Sequence, residues 1–250
     1  MTRRYGLRDD QWDRIKDLLP GREGHVGGTA ADNRLFVEAV LYRYRAGIPW
    51  RDLPERFGDW KIVHKRMRRW CEGGVFERIF KHLAADHDNE YMMLDSTVVR
   101  AHQHSAGAQK GGNQAIGRSR GGLTTKIHVI ADALGNPVAI SLTPGQASDL
   151  AQAQPLLEEV DPQAFLADKA YDADALIDHL KARHITPVIP PKANRTTPRP
   201  TDFALYCERN LIERFFNNLK QFRAIATRYD KLAATFLGAV QLVAAFISLN

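Results

Sequence analysis

The segment YMMLDSTVV (91–99) constrains the fold more than any other stretch. It reads as a buried strand interrupted by one Asp. Two more strand-like runs follow, TTKIHVIAD (124–132) and PVAISLTP (137–144), joined by a turn at 133–136. A helix is expected over 148–160, then a short apolar strand over 164–167 that ends in Asp168. A helix over 171–183 and the strand ITPVIP (185–190) come next. A Pro/Arg/Thr-rich linker over 190–201 leads into a long helix. Three strands in succession, then alternating helices and strands, predict an α/β sheet that starts as a hairpin meander and continues by crossovers.

Residues 1–83 have a different texture and read as helical throughout. A first helix over 8–19 carries Trp12, Ile15, Leu18 and Leu19 on its apolar face and stops at Pro20. A Gly-rich loop fills 21–30. Asp32 is placed to cap a second helix with Leu35, Phe36, Ala39, Val40 and Tyr44 on its face, closed by Gly47. After a turn segment, Asp59 caps WKIVHKRMRRWCEGG. There Val63, Met67 and Trp70 share one face, and Lys61, His64, Lys65 and Arg68 another. An apolar back and a basic front describe a helix-turn-helix recognition helix, and also a basic solvated helix. A last helix over 76–84 leads to the strands, which suggests a helical domain over 1–85 and an α/β domain over 86–250.

Charge is unevenly spread. The chain of 250 residues carries a net charge of +6, which raises the prior for a polyanionic partner. Residues 132–178 hold nine acids and one Lys, whereas 181–231 hold 11 basic residues and four acids. An acidic centre with basic flanks suits a metal-dependent enzyme acting on a polyanion. The loop 100–122 is long for a compact domain and is therefore expected to be functional or disordered. His102 and His104 within it suit phosphate contacts better than a metal site, and Arg118, Arg120 and Lys126 add positive charge without an acid nearby in sequence. Cys71 and Cys207 make no disulfide framework, and the N-terminus lacks an apolar signal region. The apolar run over 232–249 is short for a membrane span and is interrupted by Gln241, so it reads as a buried helix. A cytoplasmic protein with no membrane partner is the expectation.

Three acids are candidates for chemistry. Asp95 interrupts an apolar strand, where an ionised carboxylate is costly unless paired, hydrogen-bonded or metal-bound. Asp168 ends a strand, where open α/β sheets place ligands; capping the next helix is its plainer use. Glu213 lies in TDFALYCERNLIERFFNNLKQFRAIATRY (201–229), which contains no Pro or Gly and reads as one long helix. On a wheel of about 100° per residue, Tyr206, Arg209, Glu213 and Lys220 share a strip about 60° wide. One acid among phosphate-binding residue types suits a site that holds a metal and a nucleic-acid backbone together. The plainer reading is a solvated face on which Arg209 pairs with Glu213. Three converging carboxylates would need a cation, or raised pKa values, to be tolerable, and two Mg²⁺ ions would serve.

With these residues in view the sequence resembles the DDE transposases of bacterial insertion sequences, within insertion-sequence family five and the larger group marked by a YREK signature. That signature, Tyr-x2-Arg-x3-Glu-x6-Lys, is met by Tyr206, Arg209, Glu213 and Lys220. WRDLPERFGDWKIVHKRMRRW, LDSTVVRAHQHSAG, GRSRGGLTTKIHVIADALGNP and ADKAYDAD match as well; Ala170 stands where Gly is common. The resemblance implies a ribonuclease-H-like catalytic domain preceded by a helix-turn-helix DNA-binding domain. It implies Asp95, Asp168 and Glu213 as catalytic metal ligands for Mg²⁺, with Mn²⁺ as a substitute. It further implies cleavage and strand transfer at terminal inverted repeats by a homodimer assembled on double-stranded DNA. Lys61, His64, Lys65, Arg68, Arg69, Arg118, Arg120, Lys126, Tyr206, Arg209 and Lys220 are then the expected DNA contacts. Two alternatives remain at this level: a domesticated relative that binds without cutting, and a nuclease of the same fold.

Overall fold

The computed structural model describes residues 6–22, 30–107 and 114–250. Parts of the expected loops at 21–30 and 100–122 therefore lie outside the described residues. The chain forms two compact units that do not follow its linear order. One comprises Met1–Leu83, His102–Gln114 and Leu219–Asn250; the other comprises Ala84–Ala101 and Ala115–Asn218. The units change at 83/84, near the boundary expected at 85/86, and Leu219–Asn250 belong to the helical unit.

In the helical unit, α1 (Asp9–Ile15) passes into a 3-10 turn before Pro20. Next comes α2 (Asn33–Ala46), capped as expected: the Asp32 carboxylate accepts from the Leu35 N–H at 2.8 Å. Gly47 closes it at φ 72°, a left-handed conformation that glycine adopts without strain. A Cβ there would also lie 2.7 Å from the Arg223 side chain. Two 3-10 turns then lead to α3 (Trp60–Glu72), which Asp59 caps through the Lys61 N–H at 2.8 Å. This connection is longer than the three or four residues of a tight helix-turn-helix. α4 (Val75–Leu83) follows after two glycines.

The core of this unit is Phe36, Val40, Tyr44, Met67, Trp70, Phe76 and Ile79, all buried. Trp70 meets Phe36 edge-on at 4.7 Å. The apolar C-terminal run forms α10 (Ala233–Ser248), and it packs on α3 and α4. Gly238 makes the close approach possible, because a Cβ there would meet the Cys71 sulfur at 2.6 Å. Among the described residues no helix is long and apolar enough to cross a membrane.

The second unit is built on a sheet. β1 (Tyr91–Ala101) pairs antiparallel with β3 (Gly122–Ala131), preceded by the short β2 (Gly117–Ser119); β3 pairs antiparallel with β4 (Pro137–Pro144). After α5 (Leu150–Leu157), β5 (Ala164–Ala167) pairs parallel with β1. After α6 (Asp174–Ala182), β6 (Thr186–Val188) pairs parallel with β5. The order β4-β3-β1-β5-β6 is the ribonuclease-H-like meander with crossovers that the segment order predicts. One face is packed by Met92, Leu94, Phe165, Leu156, Leu176 and Leu180. The basic linker is anchored: buried Asp172 accepts from Arg195 at 2.6 Å and from Arg199 at 2.7 Å.

The single long helix expected over 202–229 is not present. The chain forms α7 (Phe203–Tyr206), a 3-10 turn Cys207–Arg209, α8 (Asn210–Lys220), α9 (Arg223–Ala226) and the extended β7 (Thr227–Arg228). No Gly or Pro breaks the run, so the breaks are tertiary. Phe222, Ala224, Ile225 and Arg228 are all buried, so packing rather than local propensity sets the course of the chain here.

Candidate active site

Strand register brings two acids together. Leu94 on β1 stands opposite Ala167 on the parallel strand β5. Asp95 and Asp168 are the next residue on each strand. Neighbouring strands lie about 4.8 Å apart, so the two carboxylates emerge side by side. Side chains alternate along a strand, so Asp95 faces away from the core that Leu94 fills. Asp168 keeps an extended backbone, and its carboxylate also accepts from the Ala170 N–H at 2.8 Å.

Asp95 is satisfied on both oxygens. Oδ1 accepts the Ser96 N–H at 2.7 Å, and Oδ2 accepts from Arg209 Nη2 at 2.9 Å. Burial pushes its pKa up; Arg209 and the Ser96 N–H pull it down; the negative fields of Asp168 and Glu213 push it up again. The net effect is a pKa above the ordinary carboxylate value. Glu213 thereby belongs to the same electrostatic neighbourhood, on the first turn of α8.

Arg209 is the cation of this neighbourhood. Its Nη1 donates to the Tyr206 hydroxyl at 3.0 Å, and its guanidinium lies 5.3 Å from the Tyr206 ring centre. The helical pairing with Glu213 that the spacing allowed is replaced by the pairing with Asp95. The pairing goes with a 3-10 turn at Cys207–Arg209, and Arg209 is buried there. Glu213 and Lys220 remain exposed on α8.

A fourth acid, Asp149, adjoins the site and was not singled out in the sequence. Its Oδ1 accepts from the Ser96 hydroxyl and from Lys126 Nζ, each at 2.9 Å. Lys126 also donates to the Ala147 carbonyl at 2.8 Å. The ammonium expected at DNA is therefore held inside the unit, because a cation facing the β3 surface finds Asp149 there. Beside it His128 Nδ1 lies 3.8 Å from Asp149, and burial pushes the His128 pKa down to about 4. In sequence, Asp149 falls within the helix expected over 148–160, where nothing marks it out. In the structure it occupies the N-cap position of α5 but makes no capping bond.

The other expected contacts are dispersed. Lys61, Lys65 and Arg69 are exposed on α3, and Arg68 is exposed but paired with Glu72 at 3.2 Å. His64 is half-buried against Trp50, with ring centres 5.2 Å apart. Arg118 and Arg120 are exposed at the β2–β3 hairpin. His102 stacks on Tyr229 at 4.7 Å and meets His104 at 4.5 Å.

Asp95 within β1 and Asp168 just past the end of β5 are thus neighbours, with Glu213 in their electrostatic field. Residues 87–250 match the model of the transposase DDE domain, and residues 7–80 match that of a putative transposase of the IS4/5 family. The chain belongs to the DDE transposase family. It is 42% identical over 133 residues to the putative transposase for insertion sequence element IS6501 of Brucella ovis, covering 51% of this chain and 100% of that one. It is 30% identical over 139 residues to the putative transposase for insertion sequence element IS402 of Burkholderia cepacia, covering 51% and 63%. Among solved structures it resembles the piggyBac transposase of a synaptic complex with hairpin DNA, at TM-score 0.53 and 11% identity, covering 94% and 70%. That likeness concerns the fold.

DDE transposases use a divalent metal. The donor chemistry here fits one, since carboxylate oxygens are what hard cations such as Mg²⁺ and Mn²⁺ bind. Yet among the described residues no group of three or more His, Cys, Asp or Glu side chains is gathered closely enough to hold an ion. Arg209 supplies the positive charge that Asp95 lacks otherwise.

Proposed function

We propose that this DDE transposase binds the terminal inverted repeats of its element and carries out metal-dependent cleavage and strand transfer. Asp95, Asp168 and Glu213 would hold Mg²⁺, or Mn²⁺ in its place. The parallel register that sets Asp95 beside Asp168 is the observation that carries this reading. A bound metal would activate the attacking water or 3′-hydroxyl and stabilise the leaving oxygen. The chain's own residues do the rest. Ser96 holds the Asp95 carboxylate by its N–H and is itself fixed through its hydroxyl by Asp149. Arg209 neutralises Asp95, and with a metal held there its planar fork would suit the scissile-strand phosphate. Tyr206, which accepts from Arg209, is placed to stack on the strand end. Lys220, about two turns beyond Glu213, would take a different phosphate. In the helical unit, Lys61, Lys65 and Arg69 on α3 would face the DNA, with Arg118 and Arg120 on the hairpin as further backbone contacts. Assembly as a homodimer on DNA belongs to the same reading.

The test supplies a supercoiled target together with pre-cleaved element ends in Mg²⁺. Joined product is expected. Hydrolysis alone would mark a nuclease of this fold, and binding alone a domesticated DNA-binding protein. Asp95→Asn, Asp168→Asn and Glu213→Gln should each abolish cleavage and leave end binding within a few-fold. Near-normal cleavage by any of them would remove that residue from the site.

A further inference from the structure

The helical unit contains a cavity of about 820 Å³, within the usual range for small-molecule sites. It lies among the end of α2, the turn that follows, α3 and the Tyr229–Thr235 stretch. Aromatic rings line part of its wall. Trp50 and His64 stand with ring centres 5.2 Å apart, and Tyr229, 42% exposed, is stacked on His102. Its deepest charge is Arg43, whose side chain is 5% exposed. Arg43 Nε and Nη1 have no hydrogen-bond partner. The acid nearest to it, Asp230, is 3.9 Å away and already accepts from the Tyr44 hydroxyl at 3.0 Å. The guanidinium rests on the Trp50 ring at 5.0 Å. A buried cation is costly, and an anion bound in the cavity offsets its charge. Arg68, in a surface pair with Glu72, and the exposed Lys231 add positive charge at the rim.

Flat rings that can stack on a base, next to cations that can fork onto a phosphate, define one ligand class. We propose that this cavity takes a single nucleotide, its base against Trp50 and Tyr229 and its phosphate on Arg43, Arg68 and Lys231. Two sources share that chemistry: a free mononucleotide, and a nucleotide turned out of DNA lying along α3.

The full-length protein is titrated calorimetrically with deoxyadenosine 5′-monophosphate, with deoxyadenosine and with inorganic phosphate. The monophosphate should bind at least tenfold more tightly than either half. Trp50→Ala and Lys231→Ala should each weaken it at least tenfold, and Trp50→Phe should restore most of the loss at position 50. Lys231 is exposed, so its substitution tests the site without risk to the core. Absence of monophosphate binding, or phosphate binding equally well, would overturn the proposal. The source is then read from a terminal-repeat duplex carrying 2-aminopurine. A fluorescence change lost in Trp50→Ala, with duplex affinity kept, identifies DNA as the source; an unchanged signal identifies the free nucleotide. Only this second arm rests on end binding by α3, so failure of that reading leaves the titration result standing.

Discussion

At the scale of single residues, Arg209 decides how the site behaves. It is bonded to Asp95 and Tyr206 and is buried, so it competes with any cation that seeks Asp95. Arg209→Ala should therefore tighten Mn²⁺ binding several-fold while lowering metal-free stability by about 1–3 kcal/mol, the range for a lost charged hydrogen bond. Electron paramagnetic resonance titration and urea unfolding measure the two effects. Weakened Mn²⁺ binding, as severe as that of Glu213→Gln, would make Arg209 an orienting residue instead. His128 carries the clearest pH dependence. Its pKa falls from 6.5 to about 4 on folding because it is buried, with Asp149 only partly opposing. Between those values the unfolded chain binds a proton that the folded chain refuses. Stability is thus complete above pH 6.5 and declines as pH falls toward 4, by about 3 kcal/mol in all. His128→Gln should flatten the urea midpoint across that window. An unchanged slope would show that the imidazole protonates freely in the folded protein.

At the scale of elements, α3 shows what patterning can establish. Val63, Met67 and Trp70 are buried and Lys61, Lys65 and Arg68 are exposed, as the spacing requires, whereas His64 of the same face is half-buried against Trp50. Its cap by Asp59 forms as expected. Under the proposed function, Lys61→Ala and Lys65→Ala should each reduce the slope of log affinity against log salt by about 0.9. Loss of affinity with no change in slope would place those lysines away from phosphates. The 201–229 stretch shows the opposite case. Its local preference is helical throughout, yet the 3-10 turn at Cys207–Arg209 and the bend after Lys220 follow from what each side chain meets: Asp95 for Arg209, and a buried environment for Phe222 and Arg228.

At the scale of the whole molecule, the helical unit is closed by the chain's last residues. α10 packs on α3 and α4, and Asp230 accepts from Tyr44 in the core. Arg8 and Gln11 reach the carbonyl of Leu249. Residues 1–83 alone, a natural choice of DNA-binding fragment from the sequence, lack this partner. We expect the fragment to show no cooperative urea transition, whereas a chain that joins it to 219–250 should show one. A cooperative transition in the short fragment would show that α10 is dispensable for the helical fold.

The sequence by itself determined the order of strands and helices, the caps at Asp32 and Asp59, and the three acids as candidates, because each depends on local spacing and residue type. Asp95 stood out since a carboxylate within an apolar strand demands a partner, and Asp168 since it ends one. Their adjacency was not local: it required the register of two strands some seventy residues apart. Tertiary structure alone decided that Arg209 pairs with Asp95, that Lys126 is taken by Asp149, and that α10 completes the N-terminal helices. The physical reason is common to all three. A charge or an apolar face states in sequence that it needs a partner, but which partner it finds is set by contacts between segments that no local pattern records.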